Sequence, residues 1–197
     1  SGESNDGVAT TSAEVGWSVH AIIDIAEPGE YSFTIGDWTS PIGRTAPLDP
    51  AATEFRIASA SCQHYETGHY AAHRDIAEWT PDLVLFLGDF IYEGDGQPVD
   101  ETRVRSHETS EPMDIEGYRT RYATYLGDAH LQSCRASAPW IAIWDDHEVE
   151  NNYAGLISEN DDDPAEFERR RTMAYQVWWE NMPTRLNRPD VGPFTIY

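Results

Sequence analysis

Leu83 to Leu87 form an unbroken run of large apolar side chains, LVLFL, that stops at Gly88-Asp89 and turns acidic in GDFIYEGDG. A strand covered on both faces reads as a continuous apolar run instead of an alternating one. Helices on each side give such cover, which is the arrangement of an α/β protein with parallel strands. In open α/β sheets ligands collect outside the carboxyl ends of the strands, where Asp89 falls. Gly-Asp is also ordinary turn chemistry. The run alone therefore leaves two readings: a strand that ends in a turn, or a strand that delivers a carboxylate to a site.

The flanking sequence favours a layered fold. Residues 55–62, FRIASASC, form another apolar strand, and residues 69–80 show helical spacing at Ala72, Ile76 and Trp79. Strand, helix and strand in succession make a βαβ unit with a right-handed crossover. Residues 114–128 predict a helix with Tyr118, Tyr122 and Tyr125 on neighbouring turns. Residues 139–144 make a third apolar strand that ends abruptly at Asp145-Asp146-His147. A long helix begins beyond it, with Asp163 as N-cap, Pro164 at the first helical position and Glu166 closing a capping box. Upstream, residues 1–16 are small, polar and irregular. Residues 17–25 and 31–38 read as two strands around the turn EPGE, a hairpin or the end of a β-sandwich. Residues 39–54, rich in Pro, Thr and Ala, read as a linker, and FTIY at 194–197 as the start of a strand.

Charge bounds the partners. Among 197 residues, 35 Asp and Glu face 13 basic residues, all of them Arg, for a net charge of -22. Such a surface repels nucleic acid and anionic membranes. It also repels itself at low ionic strength, so most of the acids read as a solvated surface suited to concentrated salt. A few read instead as cation ligands. No apolar stretch is long enough for a transmembrane helix, and the N-terminus lacks a signal-peptide pattern. Cys62 and Cys134 permit a disulfide without demanding one.

Each apolar strand ends in metal-capable residues: Cys62 in SASCQHY, Asp89 in GDFIYE, and Asp146 with His147 in WDDHE. Carboxylate oxygens suit hard cations, whereas thiolate and imidazole recruit transition metals, so the mixture points to more than one ion. A carboxylate shared by two ions about 3.5–4 Å apart is a recurring clamp for phosphate-ester hydrolysis.

GDFIYEGDG, together with WDDHEVENN and AYQVWWENMP, resembles the PhoD-like (alkaline phosphatase D) family of calcineurin-like metallophosphoesterases. RIASASCQ resembles the family's opening strand, and EPGEYSFTIGDWTSPIGRT the end of its N-terminal fibronectin-like β-sandwich. The resemblance implies an α/β (α+β) fold with a calcineurin-like sheet-and-helix core. Residues 1–46 would then be the last part of the sandwich plus linker, and 47–197 the N-terminal half of the phosphoesterase domain. It further implies metal-dependent hydrolysis of phosphate monoesters or diesters, for phosphate scavenging, by an exported enzyme outside the cell or in its envelope. The family's remaining ligands fall after Tyr197, so the chain reads as an interior fragment holding part of the site.

Carried over residue by residue, the resemblance makes Asp89 the bridging carboxylate and Cys62 and Tyr92 ligands of ferric iron. Asp146 takes the second ion, calcium, where the wider superfamily has Asn, and His147 donates a proton to the leaving oxygen or stabilises the transition state. Other divalent metals also suit this set. A tyrosine with a pKa of about 10 ligates at neutral pH only when a strongly Lewis-acidic ion displaces its proton, which ferric iron does and calcium does not. Asp145 and Glu148 read as groups orienting His147 or nearby backbone. Asn151 and Asn152 are turn residues or ligands. His20, His64, His69, His73, His107 and His130 match no site motif and read as surface or packing residues, and Cys134 as structural. Asp161 to Asp163 lack the ligand spacing of an EF-hand and read as a loop and cap. The competing reading is a non-catalytic acidic module that binds cations or a surface partner while keeping the fold.

Overall fold

A computed structural model describes residues 9–22, 27–45 and 51–186. In chain order its elements are β1 (Glu30–Tyr31), β2 (Thr34–Ile35), β3 (Trp38–Thr39), β4 (Gly43–Arg44), β5 (Ile57–Ala60), α1 (Ala71–Trp79), β6 (Leu83–Leu87), α2 (Ile115–Leu126), α3 (Ala129–Ser137), β7 (Trp140–Ile143) and α4 (Pro164–Asn181). The architecture is mixed α/β, as the apolar runs imply.

The centre is a parallel sheet in the order β5-β6-β7, with Ala58 opposite Val84 and Val84 opposite Trp140. Side chains alternate across it. Ala58, Val84, Phe86 and Trp140 face a core completed by Phe90, Tyr122, Leu131 and Cys134. Removing each large side chain of that face from water contributes on the order of 2 kcal/mol. Phe86 stacks on Trp140 with ring centroids 5.6 Å apart. The opposite face differs from the expectation of two-sided cover. Among the described residues Ile57, Leu87, Ile141 and Ile143 remain about half exposed, so LVLFL is covered on one side only.

The helices follow their caps. Asp114 accepts from Gly117 N at 2.8 Å and starts α2, whose Tyr118, Tyr122 and Tyr125 are all fully buried. Asp163 accepts from Ala165 N and Glu166 N, with Pro164 first in α4. Only this half of the expected capping box forms, and Glu166 lies instead 3.6 Å from Arg169. In α1 the buried residue is His73, while Ala72 and Trp79 lie on the exposed side. Turning the helix that way places His73 against Phe86 and Trp140, and its Nε2 sits 2.7 Å from Gln63 Oε1. Helix α3 is unanticipated. Asp128, read as the end of the preceding helix, caps α3 through His130 N and Leu131 N. Cys134 is buried in α3 and Cys62 is exposed; both are free.

The N-terminal region departs most from expectation. Residues 17–22 form no strand, and residues 23–25 lie outside those described. The anticipated strand at 31–38 folds on itself at Gly36, whose φ of +59° a glycine adopts without a Cβ penalty. Strands β2 and β3 pair across that turn, and β4 returns from the supposed linker to pair with β1. FTIY at 194–197 also lies outside the described residues.

Candidate metal centre

The three parallel strands bring their carboxyl ends together, and the loops that follow stay paired. Cys62 N donates to Gly88 O and Gln63 N to Asp89 O, each at 3.2 Å. Cys62 and Asp89 both adopt left-handed backbone with φ of +56°. Such conformations disfavour residues with a Cβ and persist where surrounding contacts impose them. Gly88, with φ of +91°, sits so close to the next strand end that a Cβ there would lie 2.5 Å from Asp145 Cβ.

Glu148 supplies those contacts. Its buried carboxylate accepts from Asp89 N at 3.1 Å, Asp145 N at 2.6 Å and Phe90 N, tying the β6 loop to the β7 loop. Burial pushes its pKa up to about 8, against the pull of those three N–H groups. Glu148 thus orients backbone, one of the two roles expected of it. Asp145 contributes its backbone N–H, and its side chain is exposed.

Asp89, Asp146 and His147 form a group whose ligand atoms lie within 4.8 Å of one another, an arrangement able to hold a metal ion. Tyr92 joins Asp89 by donating its hydroxyl to Asp89 Oδ2 at 3.0 Å. Burial raises the Tyr92 pKa above the ordinary phenol value, and the Asp89 charge and Cys62 raise it further, so the phenol is protonated here. The other oxygen, Asp89 Oδ1, is buried with no hydrogen-bond partner among the described residues. A buried carboxylate oxygen without a donor is rare, and a cation would satisfy it. The residues present therefore fit a metal.

Tyr92 is fixed along its backbone as well. Its N–H donates to Tyr125 Oη at 3.0 Å, while Arg121 binds its carbonyl and that of Gly94. Asp146 Oδ2 accepts from Asn152 N at 2.6 Å. The side chains of Asn151 and Asn152 both donate to Glu159, which makes them loop braces here.

Two neighbours lie outside the site residues expected from the sequence: Glu93, which is not singled out there, and His64, which reads there as a surface or packing residue. Glu93 is buried, and its Oε2 lies 2.7 Å from His147 Nδ1 while Oε1 accepts from Asn151 N at 2.7 Å. Burial opposes charge on His147, but the hydrogen bond and charge of Glu93, with Asp89 and Asp146, outweigh it and raise the pKa above the ordinary imidazole value. His64 packs its ring on Tyr92, centroids 4.5 Å apart, and Tyr92 in turn lies 4.1 Å from His147. Both missed residues stand inside quoted motifs, Glu93 closing GDFIYE and His64 following SCQ. His64, Tyr92, Glu93 and His147 line an open cavity of about 310 Å³ that extends to Gln97, Arg103 and His107.

A model of the PhoD-like phosphatase family matches residues 57–197. Alkaline phosphatase D of Bacillus subtilis (strain 168) is 43% identical over 184 residues, covering 89% of this chain and 32% of that protein. A solved structure of PhoD aligns with a TM-score of 0.74 at 41% identity, over 84% of this chain and 34% of its own. The chain thus spans about a third of the length of each relative. Because the family model matches residues 57–197, well over half of the chain, the chain belongs to the PhoD-like phosphatase family.

Proposed function

We propose that this chain carries part of the active site of an exported, metal-dependent phosphoesterase that releases phosphate from monoesters or diesters for scavenging. The observation that carries the reading is the convergence of Asp89, Asp146 and His147 within 4.8 Å at the ends of parallel strands. Cys62, Asp89 and Tyr92 would hold ferric iron, and Asp146 calcium, with Asp89 shared between them. Bound ions would polarise the phosphoryl group and ease deprotonation of water. Glu93 holds the His147 ring through Nδ1 and favours its protonated form, leaving Nε2 to give a proton to the departing alcohol. Asn151 and Asn152 brace the loop that carries Asp146. The pattern change near residue 46 and a family match starting at 57 support the division into 1–46 and 47–197. No described helix is long and apolar enough to cross a membrane.

The test uses the full protein that contains this chain, purified without chelator. We expect turnover of p-nitrophenyl phosphate or its diester that is abolished in Asp89→Asn, together with a visible charge-transfer band that weakens in Tyr92→Phe. A protein that binds cations but hydrolyses neither ester is instead the non-catalytic module. A colourless, active protein containing only zinc or magnesium sinks the iron assignment and leaves the phosphoesterase. The same 4.8 Å grouping supports a second role for His147, as a ligand. A His147→Gln protein with full metal content and lost turnover decides for the proton donor.

A further inference from the structure

We propose that His64 is a second imidazole of the phosphate site, donating a hydrogen bond from Nε2–H to a non-bridging phosphoryl oxygen and keeping its proton throughout. The proposal rests on the phosphoesterase reading. His64 immediately precedes the short helical turn Tyr65–Thr67, and its Nδ1 accepts from Glu66 N at 3.3 Å. An imidazole nitrogen that accepts a backbone N–H carries no proton, so the neutral ring bears its hydrogen on Nε2. The tautomer is therefore set by the backbone.

Nε2 makes no hydrogen bond among the described residues, yet it is not among the buried polar atoms that lack a partner. It is open, and His64 lines the same cavity as His147. The Tyr92 ring touches both imidazoles, with centroids 4.5 Å from His64 and 4.1 Å from His147. Tyr92 also bonds to Asp89, so His64 stands one ring away from the metal-capable carboxylate.

The site needs a donor of this kind. Phosphoryl transfer spreads negative charge over the equatorial oxygens, and fixed donors aimed at them stabilise the transition state. Nearby carboxylates supply no such hydrogen, since Glu93 and Glu66 are acceptors already engaged with His147, Asn151 N, Gln97 N and His107 N. His147 is committed to the leaving oxygen. Arg103, the cavity's arginine, is turned toward Asp100 and Glu66. Among the described residues, the neutral Nε2–H of His64 is placed to be that donor. Packing against Tyr92 holds the ring in place, so little ordering is required when substrate binds.

Two substitutions separate this role from a purely structural one. His64→Asn keeps an acceptor near Nδ1 for Glu66 N but deletes the distal donor. His64→Gln reaches toward the Nε2 position with an amide N–H but gives up the proximal acceptor. In the full, metal-loaded protein, kcat/KM for p-nitrophenyl phosphate or bis(p-nitrophenyl) phosphate should fall roughly 10²-fold in His64→Asn, mostly through kcat. His64→Gln should stay within about 10-fold of wild type. Calorimetric affinity for inorganic phosphate should weaken in the same order. Metal content should match wild type in both variants, with circular dichroism used to correct for folded fraction. A structural cap predicts the reverse order, Asn tolerated and Gln impaired, and that order or equal activity overturns the proposal. Loss of metal from either variant also overturns it, because His64 would then be a ligand. A wild-type protein that hydrolyses neither ester defeats the phosphoesterase reading, while the phosphate titrations still decide whether His64 contacts the anion.

Discussion

Glu148 and Glu150 stand two positions apart, both buried, and they are held by opposite means. Glu148 is bound by backbone N–H groups alone, those of Asp89, Phe90 and Asp145. Glu150 has a cation: Arg170 Nη1 lies 2.5 Å from its Oε2, while Ser158 Oγ and Glu159 N donate to Oε1. Arg170 also reaches Glu111, Tyr118 Oη and Val149 O. The first arrangement joins two strand ends, and the second joins an outer loop to α4. A buried carboxyl group can thus be satisfied by backbone N–H groups or by an opposite ion, and only the second can be redesigned through side chains.

The largest effect should come from breaking the ion pair on one side. Arg170→Met leaves Glu150 buried without its cation and should lose about 4 kcal/mol of stability in urea melts. Arg170→Met with Glu150→Leu should recover more than half of that, because replacing a buried pair by apolar groups is often near neutral. No recovery would mean that both charges are tied into their surroundings as firmly as Glu148.

Glu148→Gln comes next, at about 3 kcal/mol, since an amide offers one oxygen to N–H groups that now share two. Second-site side-chain changes should not restore it, because the partners are backbone. Full stability in the single variant would show that the strand ends are held by something else.

His73 extends the comparison to a buried base without a counter-ion. Burial holds its pKa down at about 4. A histidine with a lowered folded pKa favours folding fully above the unfolded value of about 6.5, and that contribution is lost as pH falls toward 4. About 3 kcal/mol should disappear over this window, and His73→Gln should flatten the loss, with His107 contributing a similar remainder. An unchanged acid limb in His73→Gln would place the proton uptake elsewhere.

The smallest effect is salt. With a net charge of -22, raising NaCl from millimolar to molar should add on the order of 1 kcal/mol by screening surface repulsion. The Glu148→Gln deficit should not change with salt, since its contacts are buried. Melts that fall with added NaCl would remove the reading of a salt-suited surface.

What could be read in advance follows from the range of the physics. The strands at 57–60, 83–87 and 140–143 and the caps Asp114 and Asp163 are local patterns, and they were legible. Asp128 hid α3 because one residue both closes a helix and caps the next. Gly36 split an apparent strand because period-2 alternation is also what a hairpin shows. The apolar run of β6 signalled cover on both faces, while the described residues cover one. Glu93 meets His147 across 54 positions, a pairing no local pattern carries. His64 is a site neighbour only because the ring of Tyr92 lands on it. The strand-end positions of Asp89, Asp146 and His147 were visible; their mutual distance required the sheet register.

Gly88 has a consequence of its own. A single methyl group there would meet Asp145 Cβ at 2.5 Å and push the two strand ends apart. Asp89 and Asp146 hang immediately beyond that contact, so the missing methyl acts as a gauge for the gap between their carboxylates. Calcium binds oxygen at about 2.3–2.6 Å and magnesium at about 2.0–2.1 Å, a difference smaller than the width of the absent carbon. A residue larger than glycine at position 88 would therefore alter the gap across which any ion shared by these residues is held.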